Sequence, residues 1–225
     1  AEPFFSREVL RTPLKFGGVE VIDSLFCHVR VKVENRAGAR AEGWGAIILS
    51  NPWAWPSKLI DPATCEQQMR EVTSAWCSHV VDFRELAHPV DLFWQLESEL
   101  ISISDRLCRE RGLIEPMPRM GALVSASPVD AAIHDAFGHA AAIDTYAGYG
   151  KEHMSHDLSR WLGPGFEGRY IADTLRPLRR KVDTFHLVGG LDKLTQGEIT
   201  ADDPDDDLPV SLDQWIRYEG LHCLK

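Results

Sequence analysis

A change of hydrophobic period between residues 56 and 61 constrains this chain more than any other feature. Upstream, Leu25, Cys27, Val29, Val31 and Val33 alternate with His28, Arg30, Lys32 and Glu34. That alternation predicts a strand with one buried and one wet face. Asn35 to Gly38 supply turn residues, and Ala41, Gly43, Gly45, Ile47 and Leu49 continue the alternation, predicting an antiparallel hairpin. A further strand is expected around residues 9–14, before the Phe16-Gly17-Gly18 loop.

Downstream of the Pro-rich stretch 51–56 the spacing becomes helical. Asp61-Pro62 reads as an N-cap followed by a first-turn proline. Cys65, Met69, Val72, Trp76 and Val80 share one face of a helix over 61–84. Phe93, Leu96, Leu100, Ile103 and Leu107 do the same over 89–111, where Gly112 ends the run. Strands followed by amphipathic helices predict an α+β domain over residues 1–125, its sheet buried under the helices.

Beyond it, Ser127-Pro128-Val129-Asp130 reads as a helix opening, and Val129, Ala132, Ile133, Ala136 and Ala140 form a small-residue stripe suited to close packing. Residues 182–188 read as an apolar strand ending in Gly189-Gly190, residues 211–218 as a helix and residues 221–225 as a second strand. Strand, loop, helix, strand is the pattern of a parallel βαβ unit with a right-handed crossover.

The chain has 34 acidic against 24 basic residues, a net charge of −10, which disfavours nucleic acid as a ligand. No apolar run reaches the ~20 residues that span a bilayer, so no membrane partner is expected and the default location is cytoplasmic. Five cysteines without a CxxC pair read as reduced thiols, with Cys27, Cys65 and Cys108 in apolar positions. His134 lies one residue from Asp135 and five from His139, spacings that do not bring the three side chains together on a helix, so they read as packing and polar anchors. His153 and His156 fit a solvated loop; the acidic run 202–207, which lacks the glycine and terminal glutamate of a calcium loop, reads as a disordered or solvated loop.

Four local sequences, in order along nearly the whole chain, carry a resemblance. They are Thr12-Pro13-Leu14-Lys15-Phe16-Gly17-Gly18, Glu42-Gly43-Trp44-Gly45, the stretch from Ser127 to Gly138, and Gly220-Leu221-His222-Cys223-Leu224-Lys225. Together they resemble the mandelate racemase and muconate-lactonizing branch of the enolase superfamily. The resemblance implies a capping domain over residues 1–125 and the first part of a (β/α) TIM-like barrel, incomplete, over 126–225. It implies a Mg²⁺-dependent enzyme that removes a proton α to a carboxylate, as a racemase, acid dehydratase or cycloisomerase. A small carboxylate substrate and a homo-oligomer belong to the same expectation.

By that resemblance, loops at 14–18 and 50–56 close over the barrel mouth. Lys15 meets a substrate carboxylate, while Phe16, Trp53 and Trp55 wall the pocket. The alternative is a solvated lysine and tryptophans packed on their own domain. His186, near the end of the first barrel strand, is a substrate contact, a catalytic imidazole or a core histidine. Lys225 matches the first lysine of a Lys-x-Lys pair and is the catalytic residue implied here; position 223 is Cys, so the general base would lie two residues beyond Lys225. A whole barrel takes roughly 250 residues, and the acidic Mg²⁺ ligands are expected on later strands, past the end of this chain. These 225 residues alone are therefore not expected to be catalytic. The alternative class is a non-catalytic binding or interaction protein built on a capping-type domain.

Overall fold

The structure, a computed structural model, describes residues 1–16 and 18–225, with Phe16 described through its backbone alone. Three strands, β1 (Glu2–Phe16), β2 (Val19–Glu34) and β3 (Arg40–Ile48), form a sheet in the order β1-β2-β3. β2 and β3 pair antiparallel from Glu34↔Arg40 to Phe26↔Ile48. Helices α1 (Asn51–Ala54), α2 (Pro62–Val81), α3 (Pro89–Arg111) and α4 (Arg119–Ala141) follow, giving the expected α+β arrangement. The short α5 (Ser159–Leu162) and α6 (Leu212–Glu219) complete the series.

The chain divides into two compact units, one of Ala1–Ser6 with Leu25–Arg176, the other of Arg7–Ser24 with Pro177–Lys225. The division expected at residue 125 falls inside α4. β1 is longer than the strand expected at 9–14, because its first residues continue the sheet of unit 1 and Phe5 packs on that core.

In unit 1 the alternation of β2 is realised: Leu25, Cys27, Val29 and Val31 are buried. Against them lie Met69, Val72 and Trp76 of α2, Leu96 and Leu100 of α3, and Val129 and Ala132 of α4. Burying each large apolar side chain contributes about 1.5–3 kcal/mol. Asp61 caps α2 by accepting from the Thr64 N–H at 3.0 Å, and the Thr64 hydroxyl and amide hold its carboxyl below the usual range. Gly112 ends α3 in the left-handed region at φ 70°, as the sequence predicts.

The helix expected to open at Ser127-Pro128 begins at Arg119 instead, so Pro128 lies inside α4. A proline there has no N–H for the carbonyl four residues back. That carbonyl, on Val124, accepts the Ser127 hydroxyl at 2.9 Å, which removes the orphaned acceptor. Across the helix pair, the buried Thr73 hydroxyl of α2 donates to the Ser125 carbonyl at 2.8 Å.

Two glycines set the contact between α4 and the sheet. A Cβ on Gly43 would lie 2.2 Å from Ala136 N and 2.4 Å from Ala132 O, and one on Gly45 would lie 2.1 Å from Pro128 O. The small-residue stripe of α4 thus meets bare backbone, closer than any side chain on β3 permits. Polar groups complete the join. Asp135 Oδ2 accepts from the Trp44 N–H at 2.9 Å, His139 Nδ1 donates to the Glu42 carbonyl at 2.8 Å, and the Asn35 amide donates to the Ala140 carbonyl at 3.0 Å. The first two bonds satisfy edge groups of β3, which among the described residues no fourth strand covers, and the third ties the β2–β3 turn to the end of α4.

Two predictions follow from this packing. Leu100→Ala, at a site with 0% exposure, should lower unfolding stability by ~2–5 kcal/mol in urea melts. Gly45→Ala should lower it by ~1–3 kcal/mol or more, since backbone atoms must move. Gly197→Ala, whose nearest neighbour to the new methyl is 3.9 Å away, should stay within about 0.5 kcal/mol. A Gly45→Ala protein as stable as the Gly197→Ala control would contradict the contact.

Candidate functional site

Residues at the end of the chain come together in unit 2. His186 N donates to the Cys223 carbonyl, Lys225 N to the His186 carbonyl and Val188 N to the Lys225 carbonyl, each at 2.9 Å. This is a parallel ladder, with His186 bridged to Leu224. The full strands expected at 182–188 and 221–225 are reduced to that ladder. A pair with no further strand beside it among the described residues has few hydrogen bonds to hold more residues straight. A second parallel bridge joins Lys193 to Ser211 just before α6. The α6 entry is fixed by Gln214, whose Oε1 accepts from Val210 N at 2.9 Å and Ser211 N at 3.1 Å.

The His186 ring lies 6.0 Å from the Trp215 ring of α6, so it faces the connecting helix. Neighbours along a ladder project to opposite faces. Lys225, one residue past the bridged Leu224, therefore belongs to the face turned away from α6, where its side chain is exposed. His186 and Lys225 adjoin through their backbones, while their side chains serve different faces.

Past Val188 the chain turns at Gly189 and Gly190. Asp192 closes this turn, its Oδ2 accepting from the Gly189 N–H at 2.7 Å and its own N–H donating to the Gly189 carbonyl at 3.2 Å. Lys15 passes over the turn: a methyl on Gly190 would meet Lys15 Cδ at 3.7 Å. Lys15 and Lys225 are both exposed, and neither has an ion-pair partner among the described residues.

Arg11 holds the acidic run in place. Its Nε and Nη2 donate to the two Asp206 carboxylate oxygens at 2.7 Å each, and its Nη1 and Nη2 donate to the Pro209 and Leu208 carbonyls at 3.1 and 3.2 Å. The pairing holds the Asp206 carboxyl below, and the Arg11 guanidinium above, their ordinary values. Asp203 accepts from the Thr200 N–H at 2.7 Å and lies 3.9 Å from Lys193 Nζ. The run is a loop with Asp202, Asp205, Asp206 and Asp207 exposed, as a solvated loop requires, while Arg11 and Thr200 give two of its carboxylates partners. Among the described residues no group of three His, Cys, Asp or Glu side chains is arranged to hold a metal ion.

The tryptophan candidates lie in unit 1. Residues 51–54 of the expected lid loop form α1, and Trp55 is buried in the core at 2% exposure. Trp53 is 53% exposed on the same element. The Phe16 side chain and Gly17 lie outside the described residues. Arg11 and Asp192 were not singled out from sequence. The one signal for Asp192 is its place three residues after Gly189, where an Asx side chain closes a turn.

No helix among the described residues is long and apolar enough to cross a membrane. Comparison of the chain with protein-family models, curated proteins and solved structures found no match.

Removing the Arg11 contacts tests the order of the acidic loop. Arg11→Met should raise amide hydrogen exchange several-fold across residues 200–210 and leave α2 unchanged. In the parent chain the same segment should loosen as acid protonates Asp206: a carboxyl lowered on folding lends stability above its unfolded pKa and loses it as pH falls through the folded value. Unaltered exchange in Arg11→Met would show that the loop holds itself.

Proposed function

We propose that this chain is the capping region and first βα unit of an enzyme of the mandelate racemase and muconate-lactonizing branch of the enolase superfamily, acting on a small carboxylate. The parallel pairing of residues 186–188 with 223–225, with Lys225 on the face opposite α6, carries this reading. In a (β/α) barrel the face turned away from the helices is the barrel interior, and strand C-terminal ends form the site. Exposed Phe185, Leu187 and Leu224 around a two-strand pair support a sheet that continues, since further strands would cover them.

On this reading Lys225 stabilises the negative charge that grows on the substrate carboxylate as the α-proton leaves. The interaction is stronger in the transition state than in the ground state, so it lowers the barrier rather than merely tightening binding. Lys15, above the Gly189–Gly190 turn, attracts and orients the anion. Asp192 keeps that turn in place. Mg²⁺, when bound in such enzymes, supplies charge stabilisation to the enolate. The carboxylates of the acidic run do not fit that ion, because Asp206 is engaged by Arg11 and Asp203 by Thr200 and Lys193. The ligands of the proposed enzyme belong to further barrel strands.

The test uses the protein in which this chain continues into a complete barrel. With Mg²⁺ in D₂O, a panel of α-hydroxy acids and acid sugars should show exchange of the α-proton by NMR. Lys225→Met should lower kcat at least ~10²-fold with a smaller rise in KM. Wild-type turnover in that variant would remove Lys225 from the chemistry. Carboxylate binding without exchange of any α-proton would leave a binding protein in its place.

A further inference from the structure

Unit 1 carries a cluster of rings that the proposed chemistry does not use. His88 is the N-cap of α3: its Nδ1 accepts from the Val90 N–H at 3.3 Å, and the residue is 3% exposed. Its Nε2 is buried without a hydrogen-bond partner among the described residues. Around it stand the rings of Phe137 at 5.0 Å, Tyr149 at 5.6 Å and His134 at 6.2 Å. The Tyr149 hydroxyl donates to His134 Nδ1 at 2.8 Å, and His134 Nε2 lies 3.8 Å from Asp130. His153 packs 5.9 Å from Phe137, and His156 Nδ1 is 2.8 Å from the buried Asp91 carboxylate. The 3₁₀ turn Thr145–Tyr149 and the stretch through His156 are thus fastened to α3 and α4 largely by imidazoles and a phenol.

We propose that these rings form a proton-sensitive latch: when His88 gains a proton, the turn Thr145–Tyr149 and the stretch through His156 lift away from α3 and α4 while sheet and helices stay folded. The inference is independent of the enzymatic reading. An imidazolium at this position sits at the positive end of the α3 dipole. Because Nδ1 accepts from Val90, the neutral ring carries its hydrogen on Nε2; an added proton goes to Nδ1, abolishes the capping acceptor and leaves a buried charge. Lifting the turn removes Tyr149 and admits water to the ring.

The groups facing His88 come from every neighbouring element. Burial of the ring and then the nearby His134 of α4 push its pKa down from 6.5 to about 4, with His153 adding to the effect. Asp91 of α3 and the Gly148 carbonyl oppose it without reversing it. Burial also lowers the His134 pKa and raises that of Asp130, which favours the uncharged form of each in the closed state. The His156–Asp91 contact at 2.8 Å opposes the release and marks the far end of the segment that lifts. The sign is that of a histidine whose pKa falls on folding. Its stabilising effect is complete above pH 6.5 and disappears as pH drops toward 4.

If the open form restores the ordinary histidine pKa, the open-to-closed ratio rises roughly 30-fold between pH 7.5 and 5.0. Hydrogen exchange on the 225-residue chain, corrected for intrinsic rates, reads this directly. Residues 143–157 should lose protection by about that factor, and α2 should change little. His88→Asn keeps an N-cap without a titrating group, and its segment should show a flat response over the same range. Equal loss of protection in α2, or an unchanged slope in His88→Asn, would overturn the latch. Should His88→Asn fail to fold, histidine NMR titration of the parent chain decides. A His88 ring that protonates at pH 6 or above overturns the proposal, and one that stays neutral to below pH 5 while the segment opens supports it.

Discussion

The approach of the β3 backbone to the α4 backbone at Gly43 and Gly45 governs the first unit, because no side chain separates the two elements there. Dispersion and burial act over a short range, so a helix seated this closely has little freedom of depth or rotation. Asp135 and His139 then bond the strand edge from the same helix. With α4 fixed, Thr73 ties α2 to it, and α3 packs beside both. Pro128 belongs to this arrangement: its neighbour Ser127 satisfies the carbonyl that the ring leaves free, so the helix runs on unbroken.

Periodicity made the core legible. The apolar phase of β2 and the stripes of α2 and α3 point inward as their spacing requires, and Asp61 and Gly112 end their helices through familiar chemistry. The start of α4 lies outside what local pattern shows, because a proline after serine usually marks a first turn and only the tertiary packing of the preceding turns carries the helix back to Arg119. The terminal strands were overestimated for a related reason. An apolar run has strand propensity, but strand length depends on neighbours that a local pattern does not contain.

Of the candidate site, the pairing of the two terminal segments was legible in their apolar pattern. Lys225 came from the family resemblance alone, and the ladder puts its backbone beside that of His186. The facing of His186 toward Trp215 was not legible, because it depends on which helix covers the pair. Arg11 was invisible for the same reason: its four hydrogen-bond acceptors all come from residues 206–209. In a chain with excess negative charge, Lys15 and Lys225 stand as cations without carboxylate partners among the described residues, while Arg11 is fully engaged. That contrast separates a cation available to an anion from one already used by the fold.

The Arg11 anchor also has a consequence for the order in which the molecule assembles during synthesis. Its acceptors lie 195 to 198 residues downstream, so the N-terminal hairpin leaves the ribosome long before its partner exists. At ~5–20 residues per second the wait is on the order of ten seconds or more. The core of unit 1 can collapse in that interval, since its strands and helices are near one another in sequence. Residues 7–24 must meanwhile remain a solvated ribbon with a bare edge. Arg7, Arg11 and Lys15, on one alternating phase of β1, give that ribbon charges that discourage pairing with another nascent chain. The residue that later fastens the hairpin thus first helps to keep it apart from its neighbours.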